Sequence, residues 1–161
     1  MSFKRKMMTK MMPKEFGAIS GLFHAGVFTL QAKATEAYGK SIFREHVFPA
    51  IEAALEKVGD IGLKPVVQEN IEDFILRFIE VLKKSMLVSN AFLRKKSENE
   101  YVFNLVECFM AGAAHRMNKG NGICPMALVM SAMIEKYLGK TVEPEYSQLT
   151  PVGSITRIII K

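Results

Sequence analysis

The side chains best suited to chemistry in this sequence are two cysteines, Cys108 and Cys124, and three histidines, His24, His46 and His115. Cys124 lies in "GNGICPMALVMSAMIEKYLG", residues 120–139, directly before a proline that opens an almost wholly apolar segment. Proline is favoured in a first helical turn because its fixed φ suits the helix and its missing N–H would be unpaired there anyway. Cys124 is therefore predicted at the N-cap. Free amides and aligned peptide dipoles at that position favour a thiolate, the form that attacks electrophiles and ligates metals. The competing reading is a small buried side chain that fills a strand–helix corner.

Cys108, His115, Cys124 and Glu145 make up a candidate metal site. Cys108, His115 and Cys124 are soft or borderline donors close together in sequence, and with Glu145 or water as the fourth ligand they could hold zinc tetrahedrally, although the spacing matches no standard zinc module. His24 and His46 sit among packing residues and read as structural or surface groups. A second candidate site is apolar. Met126, Met130, Met133 and Tyr137 lie along one side of the helix predicted over 124–138, and flexible thioethers can line an adaptable cavity. Phe23 and Met110 complete this candidate ligand-contacting set. A Met stripe at helical spacing is also what a plain core looks like.

Positioning these groups falls to a helical half and a half that reads as sheet. From Glu15 to about Tyr38, Phe16, Ile19, Phe23, Val27 and Leu30 recur at helical steps and predict an inward stripe. The interleaved Gly17, Ala18, Gly21, Ala25 and Gly26 permit close approach of another backbone. Ser41 is placed to cap a helix over 42–58, with Pro49 as its bend or break. Asn70 or Gln68 opens a third helix carrying Ile71, Phe74, Ile75, Phe78, Ile79 and Leu82, with Lys83 and Lys84 at its favourable C-terminal end. The period then changes. "MLVSNAFLRKK" and "EYVFNLVECFM" are β-rich and joined by a polar turn, which predicts a hairpin in which Glu107 and Cys108 point opposite ways. The Cys-Pro helix, stopped by Gly139, precedes two closing strands, "KTVEPEYSQL" and "SITRIIIK". Helices segregated from strands give an α+β class: N-terminal helices on a four-stranded antiparallel sheet, with the Cys-Pro helix between strands two and three.

At 161 residues, 49% apolar and 24% charged, the chain fits one globular domain over 15–161, preceded by a basic Met-rich arm over 1–14. Much of the net charge of +6 lies in that arm, where Lys4, Arg5, Lys6, Lys10 and Lys14 mix with Met1, Met7, Met8, Met11 and Met12. Such an arm could touch a membrane, nucleic acid or a second subunit, or fray. With no accompanying recognition motif it predicts at most weak, salt-sensitive nucleic-acid binding. No apolar run is long enough for a membrane span and no signal-peptide stretch is present, so the cytoplasm is the expected compartment. Two cysteines make no disulfide framework, and neither a dinucleotide fingerprint nor a P-loop appears.

A short strand ending near a cysteine, a Cys-Pro helix ending in "LGKTVE", a Glu-containing strand, a turn with glycine and a terminal "SITRIII" together resemble the vinyl-4-reductase-type, or hydrocarbon-binding, family. The match runs over about residues 99–161. Sensor domains of aromatic-responsive bacterial regulators belong to it, with heme-nitric-oxide-binding domains and vesicle-tethering transport-particle subunits further off. The resemblance implies an α+β domain that encloses a small apolar ligand, usually as a homodimer. It places the family's Cys-Pro on Cys124 and Pro125 and its acidic residue on Glu145. Two further family cysteines fall on Gln148 and Thr156, and a site short of two thiolates binds zinc poorly.

Overall fold

The computed structural model describes residues 14–58, 70–111, 115 and 122–161. The basic Met-rich arm, apart from Lys14, lies outside the described residues. Helix α1 spans Lys14–Tyr38 and ends where Gly39, at φ 74°, lets its N–H reach the Thr35 carbonyl at 2.9 Å. A π-helical segment, Phe43–Val47, leads directly into α2, Phe48–Val58. Pro49 thus falls in the first turn of α2, just after the π-helical segment. It lacks an N–H, and the ladder has already widened ahead of it, with the Phe48 N–H bonding the Phe43 carbonyl. Ser41 caps no helix, since its hydroxyl turns back to the Tyr38 carbonyl.

Helix α3, Ile71–Lys84, starts at Asn70, whose side chain accepts from the Asp73 N–H at 2.9 Å. Its apolar stripe of Phe74, Ile75, Phe78, Ile79 and Leu82 is entirely buried, on the order of 10 kcal/mol of gross burial before chain entropy is counted. Helix α4, Pro125–Leu138, begins after Cys124 and stops at Gly139, which takes the left-handed conformation at φ 62°. Seven of its residues are buried, so it runs through the core rather than over it.

The sheet is antiparallel and five-stranded: β1 Asn90–Ser97, β2 Glu100–Val106, β3 Val142–Pro144, β4 Gln148–Thr150 and β5 Gly153–Ile160. The order is β1-β2-β5-β3, with β4 also paired to β5. One predicted strand therefore becomes two. Between β3 and β4 the chain dips so that the buried Ser147 reaches inward, which interrupts the run. Tyr101, Phe103 and Leu105 of β2 face the helices together with Ser154, Thr156, Ile158 and Ile160 of β5. Strand β2 ends at Val106, earlier than the sequence pattern predicts. Glu107 adopts φ 51°, which turns the chain and buries Cys108 on the same side as Leu105.

Helix α1 departs most from expectation. Ile19, Leu22, Phe23 and Leu30 are 63–76% exposed, while His24, Ala25, Phe28 and Gln31 face inward. The inward stripe is partly polar because the core offers those polar groups partners, described next.

Candidate functional site

A cavity of about 340 Å³ opens between α1 and the start of α4, lined by Phe23, His24, Val27, Met110 and Met126 among others. Phe23, Met110 and Met126 were each predicted to contact a ligand, and the structure brings them to one wall from three separate segments. The other three predicted residues lie elsewhere. Met130 and Met133 are fully buried core, and Tyr137 packs near Phe74 at 6.4 Å between ring centroids. A second apolar groove of about 460 Å³ lies on the far side of α1, between Leu30, Ala34, Phe43 and Ile51, so α1 stands between two apolar hollows that share Val27.

Three anchors hold α1 in place. Phe28 is fully buried, with its ring so close to Gly122 that a Cβ there would stand 2.9 Å from Phe28 Cε1. Gln31 clamps the backbone of Ile123, its Nε2 donating to the carbonyl at 3.0 Å and its Oε1 accepting the N–H at 2.8 Å. His24 meets His115 with their Nε2 atoms 3.1 Å apart, both side chains buried, and the Phe28 ring stands nearly perpendicular to each. His24 lines the cavity floor. Sequence reasoning passed over it as a site residue because its partner lies 91 residues away, beyond any local pattern.

The hydrogen bonds determine the tautomers of this pair. His115 Nδ1 lies 2.8 Å from the Thr150 carbonyl, which can only accept, so Nδ1 carries the proton and Nε2 accepts from His24. Both rings are then neutral. Burial first, and the neighbouring His115 second, push His24 down to about 4, and burial also lowers His115. An unfolded His titrates near 6.5 and so binds more protons than the folded one between these values. Stability is therefore complete above about pH 6.5 and is lost as pH falls towards 4, by on the order of 2 kcal/mol after a discount for solvent screening. Urea midpoints measured at pH 7.5 and 4.5 should differ accordingly in the native chain and differ less in His24→Leu, which keeps only the His115 contribution; an equal drop in both would remove His24 from this account.

Cys124 occupies the predicted N-cap, but its thiol is not activated. It is 3% exposed, and desolvation drives its pKa up against the weaker pull of the Ser154 hydroxyl and the first-turn amides. Cys108 is pushed up to about 11, by burial first and by Cys124 second. Both are protonated at neutral pH. A buried helix start loses more by desolvation than its dipole returns.

The proposed metal set is not gathered. Glu145 points out of the core to Arg157 at 2.8 Å, and among the described residues no three His, Cys, Asp or Glu groups stand where they could hold a metal ion together. The two positions that the family resemblance assigns to cysteine hold Gln148, exposed on β4, and Thr156, buried on β5. Hydroxyls do the joining instead: the Cys124 N–H donates to Ser147 Oγ at 2.7 Å, and Ser147 Oγ meets Thr156 Oγ1 at 2.6 Å. These neutral groups do not fit a structural zinc.

No protein-family model matches the chain, and no curated protein matches it. Among solved structures it is similar to the crystal structure of the phenol-responsive sensory domain of the transcription activator PoxR with phenol, at 14% identity, covering 84% of this chain and 74% of that one, with a TM-score of 0.42. No helix among the described residues is long and apolar enough to cross a membrane.

Proposed function

We propose that this chain is a binding module for a small apolar molecule, of the vinyl-4-reductase or hydrocarbon-binding type, acting in the cytoplasm as a dimeric sensor or carrier. The observation that supports it is the cavity on which Phe23, Met110 and Met126 converge. Its volume of about 340 Å³ falls within the range of small-molecule sites, roughly 300–1,000 Å³. Two thioethers give the wall a shape that adapts to its guest. Thiol catalysis has no support, since both cysteines are buried and protonated.

Dimerisation is favoured by the outer face of α1. Leu22 and Phe23 are 73% and 76% exposed, and such an apolar stripe is stabilised when another surface covers it. Phe23 also borders the cavity, so a second copy laid along α1 would close its mouth. The test is titration with the fluorescent probe N-phenyl-1-naphthylamine, with chain mass followed by sedimentation. Met126→Trp fills the cavity and should weaken the probe at least about tenfold. Leu22→Glu, outside the cavity, should give monomers and weaker binding together. Unchanged probe binding in Met126→Trp would refute the reading.

A further inference from the structure

The geometry points to a cuprous-ion site at the cavity floor, ligated by Nε2 of His24 and Nε2 of His115, with the thioethers of Met110 and Met126 completing the shell. The two nitrogens already face each other at 3.1 Å across the proton on His24 Nε2, and ligation moves that proton to His24 Nδ1, which frees the second lone pair. Imidazole nitrogens bound at about 2.0–2.1 Å to one shared ion stand roughly 3–3.4 Å apart, so little movement is needed. The Thr150 carbonyl holds His115 by Nδ1, leaving Nε2 as the nitrogen with the lone pair, an arrangement that commonly orients metal-bound histidines. His24, Met110 and Met126 line the same cavity, so one imidazole of the pair shares its walls with two soft thioether donors.

The donor set selects the ion. All four groups are neutral, and among the described residues no third His, Cys, Asp or Glu joins the pair in a metal-holding group. A divalent ion there would keep both charges in apolar surroundings, whereas a monovalent ion keeps one, and burying uncompensated charge is costly. Thioethers further favour soft Cu(I) over zinc. This assignment does not depend on the apolar-ligand reading, although both use one cavity.

The test is competition of the full chain against bicinchoninate for Cu(I) under ascorbate. One equivalent per chain should bind, with nitrogen and sulfur both seen as neighbours by X-ray absorption. His24→Ala should lose more than about 100-fold in affinity, beyond what removal of an outer-shell partner costs. Met126→Leu preserves size and should lose about tenfold while still binding N-phenyl-1-naphthylamine, which separates failure of this site from failure of the cavity. The quadruple variant Met7→Leu, Met8→Leu, Met11→Leu, Met12→Leu should keep the equivalent. Copper lost only in that variant, affinity unchanged in both His24→Ala and Met126→Leu, or zinc bound as tightly as copper would each overturn the assignment.

Discussion

Gly153→Ala is expected to destabilise the protein by about 3 kcal/mol, the upper part of the range for overpacking. Gly153 begins β5 and pairs with Thr150, while the next residue, Ser154, faces Leu105 of β2. A Cβ at Gly153 would collide with the Leu105 carbonyl oxygen and stand 3.0 Å from its carbon and 3.4 Å from Val106 Cα. These are backbone atoms of a paired strand, so no side-chain rotation relieves the contact. Either β5 leaves β2 or the β4–β5 turn moves. The turn carries Val152, whose carbonyl accepts from the Cys108 N–H at 2.7 Å, and Thr150, whose carbonyl fixes His115. The substitution should therefore lower the urea midpoint and also release the His24–His115 contact, seen as a rise in the histidine titration midpoints by NMR. Gly139→Ala is the control: its left-handed φ of 62° makes it strained, but a Cβ there meets nothing. Its cost should stay near 1 kcal/mol. Equal losses in the two variants would show that conformation, rather than contact, sets the price at Gly153.

The sequence was most readable where one local pattern determined one structure. The stripe of α3 gave element and buried face together, and the proline and glycine that bound α4 gave its ends, because each is decided by side chains a few residues apart. Helix α1 shows the limit. Its largest apolar residues were read as the inward face, yet Ile19, Phe23 and Leu30 point outward while His24 and Gln31 point inward. Polar groups can be buried when their hydrogen bonds are met, and here they are met by His115 and Ile123, more than ninety residues on. Period alone could not show this. The candidate ligand site was half legible for a related reason: Met126 was found from its helix, but only tertiary contact separates it from Met130 and Met133, which the same helix turns into the core. The metal set failed on direction. Glu145 is near in sequence to the closing strands, but its carboxylate faces Arg157 on the outer side of the sheet.

The Gln31 clamp is the second place where one side chain carries a large effect. Gln31→Leu keeps approximately the same volume but strips both partners from Ile123, leaving a buried N–H and a buried carbonyl unpaired. Each such group costs about 1–3 kcal/mol, so a loss of about 2–6 kcal/mol is expected. The damage should be uneven. Ile123 precedes Cys124 and the α4 start, and Gln31 lies on the one face by which α1 is attached, so α1 should open before the α3 stripe does. Hydrogen exchange should therefore quicken in the amides of 20–34 well before those of 74–82. Because α1 forms one wall of the cavity, N-phenyl-1-naphthylamine binding should fall in the same variant. Lys33→Ala, two residues along, removes only an exposed pair with Glu36 and should leave both the urea midpoint and exchange in α1 unchanged. If Gln31→Leu behaved like Lys33→Ala, the attachment of α1 would rest on Phe28 and its neighbours, and the cavity wall would not depend on the clamp.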